Sequence, residues 1–438
     1  MIFIVNNLIH NEGISSKEKN TSGVKRFPAS PLLGTLIRYR TLNLNFENYE
    51  SRSLKIDIFK NRKKYKNYIV PTGVTHSPWD WTGYTDLDKK YDDAQIKRKT
   101  IFADLGTKFL RDLQKGKAYL LLDQSHEGYH TDWLFDWFHD ACKKYELNAD
   151  RIIYVTGNLA VEEQYTDWCL KNKPSSKMTV VPYIHFEEFI YDSAKKQKNV
   201  LPTVEDHLEY KSKNNIKTYN CFQKRARPHR IWMFHHLFKN DLLQHGINSM
   251  NSFAEQSSYY EGRVIDKESY KQIIEYLPMY PRQNLPRDKQ ELFKSGWGGS
   301  FEKDLYHQET RDSWVSVVSE ASFAENTCFI SEKSFKPIAA RHPFMTYGNI
   351  HSLKYLKDLG YKTFGDYIDE SYDNLDTWDR LDAIIKNLKV IQNMSHDKKL
   401  KWFAAMQPIL DYNFEVLKDN TTTKIPLSII KLQEKIGN

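Results

Sequence analysis

Three groups of residues in this chain have types and spacings that can do chemistry. His126-Glu127-Gly128-Tyr129-His130 fits the H-E-x-x-H pattern, in which two imidazoles hold zinc and the glutamate acts as base on the metal-bound water. Lys224, Arg225, Arg227 and Arg230, within KRARPHR, offer cationic groups, and the arginine forks match phosphate oxygens two at a time. Glu332-Lys333, within CFISEKSFKP, pairs a carboxylate able to accept hydrogen bonds from two sugar hydroxyls with a cation able to neutralise a pyrophosphate.

The zinc chemistry needs a helix, because only there do positions i and i+4 bring both imidazoles to one face. Here the pentapeptide follows the apolar run AYLLLD, which reads as a buried strand ending at Asp123. Gln124-Ser125 reads as a turn, and Gly128 would weaken a helix by ~1 kcal/mol relative to alanine. Good N-cap types come only at Thr131 and Asp132. HEGYH therefore falls largely in a strand-to-helix loop, and no third ligand stands at a recognisable spacing, His139 included. Two readings remain: ordinary surface hydrogen bonding, or a place beside a ligand, since doubly wound sheets bind ligands outside the carboxyl ends of their strands. In the second, Asp123, His126 and Glu127 are the groups able to accept a proton beside that ligand.

The surrounding elements follow a strand–helix alternation. Lys55–Phe59, Tyr68–Val70, Ala118–Leu122, Ile152–Val155 and Met178–Val181 read as short buried strands, with helices at Trp133–Ala141 and Ala160–Leu170 between the later ones. This is the grammar of a parallel α/β sheet. From about 190 to 218 the composition turns polar and lysine-rich (AKKQK, KSKNN) and reads as a linker or peripheral segment. A second α/β half restarts at Thr218–Phe222, followed by the basic loop and a helix over Ile231–Phe238. Cys328–Ile330 (strand), Glu332–Ala340 (helix) and Phe344–Tyr347 (strand) then form another βαβ unit. SGWGGS at 295–300 marks a loop, and Trp402–Leu417 is amphipathic and helical. The expected domains are 1–212, 213–405 and a C-terminal helical segment at 406–438 packing back on the first.

Strand, basic loop and helix suit a phosphate site around Arg225, Arg227 and Arg230, though a solvated basic turn or a nucleic-acid patch has the same composition. The formal charge of +8, from 64 Lys+Arg against 56 Asp+Glu, is spread without a basic block and supports an anionic partner only weakly. Four scattered cysteines exclude a cysteine zinc finger and point to free thiols in a reducing compartment. No secretory signal is visible, and no stretch approaches the ~18 apolar residues of a membrane span. A soluble, cytoplasmic protein is expected.

Ser319-Glu320-Ala321-Ser322-Phe323, followed by FISEKSFKPIAA at 329–340, resembles the donor-binding signature of the fucosyltransferase-like family 10 glycosyltransferases. There an F-E-N-S-like segment precedes a strand and T-E-K-x-[WF]. The run Arg225–Arg230 is similar to an R-x-R-P-H-R segment of related viral and bacterial proteins. The resemblance spans roughly residues 218–370, and the first half matches only in architecture. It implies a GT-B fold, two Rossmann-like doubly wound domains facing a central cleft, with a nucleotide sugar bound by the second and neither metal nor separate cofactor required. It further implies that Lys333 contacts the diphosphate and Glu332 the ribose. Arg225, Arg227 or Arg230 would supply a second phosphate contact, and Glu320 would belong to the same donor-binding segment.

By the same resemblance, transfer is inverting, with a carboxylate base at a strand's carboxyl end of the first domain; by position alone, with no matched motif, Glu127 takes that place, Gly128 leaving its side chain room, with Asp123 and His126 as alternates. Ser331 stands where threonine is common. Arg341-His342 replaces a small Ala-Gly step and is expected to bear on the donor pocket, hence on which sugar is carried. The expected partners are a nucleoside-diphosphate sugar and a glycan or protein hydroxyl. Rival readings are glycosylation of a modified DNA base, a noncatalytic nucleotide-sugar or nucleic-acid binder, and last a zinc peptidase.

Overall fold

The structure, a computed structural model, describes residues 2–7, 45–49, 67–73, 102, 105, 107–128, 133–196, 201–223, 227–250, 259–276, 307–321, 323, 327–422 and 430. The chain divides into two compact units: the described residues within Met1–His185, Asn326–Phe329 and Ile425–Asn438, and those within Phe186–Glu325 and Ile330–Lys424. The expected strand at 55–59, the loop at 295–300, Thr131, Asp132, His130, Lys224 and Arg225 lie outside the described residues.

In the first unit, in chain order, the elements are β1 (Ile2–Asn7), β2 (Asn45–Tyr49), β3 (Asn67–Gly73), α1 (Thr107–Gln114), β4 (Ala118–Gln124), α2 (Leu134–Lys144), β5 (Ile152–Thr156), α3 (Val161–Asn172) and β6 (Thr179–Pro182). The six strands form one parallel sheet in the order β2-β1-β3-β4-β5-β6. All seven residues of β4 are buried, as expected of a parallel strand covered on both faces. Against this sheet α2 buries Leu134, Phe135, Trp137, Phe138, Ala141 and Cys142, a stripe at helical spacing, with Phe138 packed 5.2 Å from Tyr154 of β5. Each large apolar side chain buried this way stabilises the fold by roughly 1.5–3 kcal/mol.

The second unit holds α4 (Phe186–Lys196), α5 (Val204–Lys213), β7 (Lys217–Gln223), α6 (Pro228–Lys239), β8 (Gly246–Met250) and a two-residue hairpin, β9 (Tyr259–Tyr260) and β10 (Arg263–Val264). Then follow α7 (Lys267–Tyr276), α8 (His307–Arg311), β11 (Ser313–Ser319), α9 (Glu332–Ala339), β12 (Phe344–Tyr347), α10 (Ser352–Asp358), α11 (Thr377–Asn393), α12 (His396–Ala405) and α13 (Gln407–Thr422). Its parallel sheet runs β12-β11-β7-β8. Both sheets are doubly wound: strand order reverses between β1 and β3 in the first and between β7 and β11 in the second.

Three sequence expectations need correction. The polar segment after residue 190 is not a linker but contains the end of α4 and all of α5, and the contacts group both helices with the second unit, whereas the sequence reading set its boundary at 212. α5 opens on a capping box of Thr203 and Asp206. Its buried stripe is Val204, His207 and Lys211, so the helical period is carried by two polar residue types and escapes an apolar count. Lys211 is fully buried; its ammonium donates to the carbonyls of Thr310 (2.9 Å), Arg311 (2.9 Å) and Ser313, and lies over the rings of Trp314 and Phe403. Second, Cys328–Ile330 is not a strand; the strand before α9 is β11, and residues 327–330 are loop. Third, the predicted helix at 402–417 is two helices, α12 and α13, joined at Met406.

The Arg341-His342 step also sits elsewhere than expected. α9 runs back from the carboxyl end of β11, so its last residues lie at the amino end of β12, away from the strand exits. Arg341 takes the left-handed conformation (φ 48°) that often ends a helix and usually belongs to glycine. Its guanidinium donates to Asp411 at 3.0 Å and covers the ring of Phe414 at 3.8 Å. His342 is buried, with Nδ1 2.9 Å from the Ser316 hydroxyl and Nε2 2.9 Å from the Ser313 carbonyl; the carbonyl makes Nε2 the donor, and burial, which pushes the pKa well down, keeps the ring neutral. No helix of the described residues is long and apolar enough to cross a membrane.

Candidate functional site

In the second sheet the topological switch point falls between β7 and β11, and the next described residues after those two strands are Arg227 and Glu320. A ligand of a doubly wound sheet lies outside the carboxyl ends of its strands at this reversal. Glu320 is wholly buried one residue past β11. Its carboxylate accepts from the Ser331 amide at 3.2 Å, the Ser331 hydroxyl at 2.5 Å, the Ser334 hydroxyl at 2.7 Å and the Ala321 amide at 3.2 Å. Its carbonyl accepts from Arg230 Nη2 at 3.1 Å and from His229 Nε2 at 3.2 Å. Glu320 thus ties the exit of β11 to the first turns of both α6 and α9. Its side chain is occupied in this way in holding the site's elements together.

α6 begins with Pro228 at its first position, where the missing amide costs nothing, and Arg227 in extended conformation before it. Arg227 Nη1 donates to the Ala321 carbonyl. Arg230 is 3% exposed, and burial, aided by the charge of Arg227 and opposed by Glu332 and Glu320, lowers its pKa to about 10; it stays charged at neutral pH. Burial, then the neighbouring Arg230, pushes the His229 pKa well down, so this ring is neutral. It stacks on Phe323, centroids 5.0 Å apart at 13°, and Phe323 packs in turn on Tyr347 at 4.6 Å.

α9 is capped by the Ser331 side chain, which accepts from the Lys333 amide, so Glu332 and Lys333 occupy its first turn. Lys333 Nζ is 2.5 Å from Glu332 Oε1 and 3.4 Å from Ser331 Oγ. Burial raises the Glu332 pKa, but the charges of Lys333 and Lys336 and the Lys333 hydrogen bond outweigh it and bring the carboxyl down to about 2. The ionised Glu332 therefore lies beside Lys333 at a helix amino end, where the aligned backbone dipoles favour an anion.

Past the exits of β11 and β12 lies a cavity of about 370 Å³ lined by Phe323, Gly348, Asn349, Asp376, Trp378 and Arg380, among others. A Cβ at Gly348 would stand 3.0 Å from Cβ and Cγ of Glu320, so the loop leaving β12 closes directly on that side chain. Arg380 shapes the cavity by donating to the carbonyls of Tyr372 (3.2 Å), Leu375 (2.6 Å) and Gly348. Sequence reasoning missed the cavity, His229 and Arg380; only the basic segment gave any signal, through His229.

In the first unit the structure separates the three candidate bases. Asp123 is wholly buried, and Oδ1 accepts from the Ser125 amide at 2.9 Å, closing the turn after β4. His126 and Glu127 are both half-buried. The Glu127 amide donates to the Gln124 carbonyl at 3.0 Å, and its carbonyl accepts from the Gly157 amide at 2.9 Å and, at 3.4 Å, from the Thr156 hydroxyl. Residues 126–128 are not helical and α2 starts only at Leu134, so the helical geometry that H-E-x-x-H requires is missing here. Among the described residues no three His, Cys, Asp or Glu side chains are grouped to hold a metal ion.

No family model matches the chain, and no curated protein matches it. Among solved structures it is similar to an α,α-trehalose-phosphate synthase (UDP-forming) from Burkholderia vietnamiensis, at 10% identity and a TM-score of 0.44 over 100% of this chain and 99% of that one. The N-terminal domain of a Candida albicans trehalose-6-phosphate phosphatase gives 9% identity and 0.44 over 100% and 96%. An α1,3-fucosyltransferase gives 8% and 0.30 over 100% and 90%. At this level of likeness neither activity nor substrate transfers to the chain.

Proposed function

We propose that the chain is a GT-B glycosyltransferase that moves a sugar from a nucleoside-diphosphate sugar to a hydroxyl of a glycan or protein, with inversion and without a metal. The observation that carries this reading is the convergence on Glu320, at a switch point, of two helix amino ends bearing Arg227, Arg230, Glu332 and Lys333. Lys333 and the amino end of α9 take the diphosphate, the ionised Glu332 accepts from the ribose hydroxyls, and the cavity past the exits of β11 and β12 receives the nucleoside. Arg230 and Glu320 are positioning residues. In the reaction the acceptor hydroxyl gives its proton to Glu127 as its oxygen bonds to the anomeric carbon. The bond from that carbon to the diphosphate breaks, and the cations stabilise the departing oxygen.

A thermal-shift series with UDP and GDP tests the donor site. A nucleotide at 100 times its Kd adds about 2.7 kcal/mol of stability, and Lys333→Ala is expected to remove most of the shift. No shift with any nucleoside diphosphate at millimolar concentration would overturn the reading. Donor hydrolysis lost in Glu127→Gln distinguishes a transferase from a noncatalytic binder.

A further inference from the structure

The loop that carries Glu127 is seated on a single phenyl ring. A Cβ built on Gly128 would stand 2.4 Å from Cβ and 2.6 Å from Cγ of Phe329, and one built on Gly157 would stand 2.6 Å from Phe329 Cε2. Both distances are far inside van der Waals contact, so the two loops, one leaving β4 and one leaving β5, close on Phe329 only because each presents a glycine to it. Phe329 is itself buried and its segment is fixed by main chain: the Cys328 amide donates to Asn158 Oδ1 at 3.1 Å, and the Leu159 amide donates to the Cys328 carbonyl at 2.8 Å. Asn158 Oδ1 also receives the Ala160 amide at 3.2 Å, and its Nδ2 donates to Gln164 at 2.7 Å, so the bracket is anchored in the first turn of α3. The Gly157 amide, between these contacts, is the donor to the Glu127 carbonyl. The half-buried Glu127 thus sits on a backbone held on one side by the exit of β5 and on the other, through Gly128, by the Phe329 ring.

We propose that Phe329, seated between Gly128 and Gly157, is a positioning residue that sets the backbone from which Glu127 acts. The inference rests on the role of Glu127 given above. Its chemical content is orientation: a base must meet the acceptor hydroxyl within hydrogen-bond reach, and misplacement by about 1 Å costs on the order of 100-fold in rate.

The test uses the full chain with Phe329→Ala, Phe329→Leu, Glu127→Gln and the double variant Phe329→Ala/Glu127→Gln, read by sugar transfer and by amide hydrogen exchange. Phe329→Ala is expected to speed exchange of the Gly157 amide about tenfold or more and to lower kcat on the order of 100-fold, with donor KM little changed. Phe329→Leu, which still fills the seat and keeps the chain folded if the alanine variant does not, should recover part of both. In the double variant the loss should not exceed that of Glu127→Gln alone. An unchanged Gly157 exchange rate in both Phe329 variants overturns the inference whatever the activity, as does a full additional loss in the double variant. Wild-type transfer by Glu127→Gln would instead refute the base assignment, and the positioning role with it, while the exchange data would still report on the seat itself.

Discussion

The carboxylate of Glu320 accepts both the backbone amide (3.2 Å) and the hydroxyl (2.5 Å) of Ser331, the residue that caps the helix bearing Glu332 and Lys333. A strand exit and a helix start are thereby locked through one buried acid. Glu320→Ala leaves the Ser331 amide and the Ser334 hydroxyl without this acceptor in a buried place, while the backbone carbonyl that receives Arg230 and His229 remains. The expected cost is about 3–5 kcal/mol, read by urea unfolding, with Glu320→Gln costing less because one carbonyl oxygen remains.

Glu332 makes stability depend on acid. Its folded pKa, about 2, lies below the ordinary value of 4.5, so the unfolded chain binds the proton more readily. The contribution, about 3 kcal/mol, is present above pH 4.5 and is lost as pH falls toward 2. Denaturant midpoints measured across that window should fall less steeply in Glu332→Gln than in the parent chain.

A second pH effect comes from the buried histidines of the second unit. Burial first, then the charge of Lys211, lowers His207 from 6.5 to about 3 and pushes His342 down as well. In each the unfolded state binds more protons, so stability rises with pH through this range and is lost as pH falls from 6.5 toward 3. His207→Gln should flatten the dependence between pH 6.5 and 4.5 in equilibrium unfolding, with Glu332 adding its own dependence below that.

Lys211 is held by three carbonyls and two aromatic faces, far along the chain from its own helix. Lys211→Ala removes the donor for all three and opens a void beside Trp314. A loss of about 3–5 kcal/mol in unfolding free energy is expected, against within about 1 kcal/mol for the exposed Lys213→Ala.

Arg341→Gly relieves the left-handed backbone and gives up the Asp411 pair and the Phe414 contact. The opposing terms leave a net change of within about 1 kcal/mol. Because the residue lies at the amino end of β12, the nucleotide-induced thermal shift should match that of the parent chain; a weakened shift would place it at the donor site after all.

By itself the sequence determined what is local. The apolar run AYLLLD became β4, the helical stripe at Leu134–Cys142 became α2, and Ser331 followed by Glu332-Lys333 marked the start of α9, because period, propensity and capping act within one or two turns of chain. Local rules also misread what distant partners control. Cys328–Ile330 carries strand-forming residue types, yet its hydrogen bonds go to Asn158, Leu159 and loop groups rather than to a ladder. His207 and Lys211 hid a buried helical face, because a polar side chain becomes a core residue only when carbonyls from elsewhere receive it. Likewise Asp123, Glu127 and Glu320 are equivalent acids in the sequence; the fold turned two of them inward onto amides and hydroxyls and left Glu127 half-buried on a loop. Which surroundings each acid meets is set by strand pairing and packing between segments far apart in the chain, and those exist only once the strands have paired.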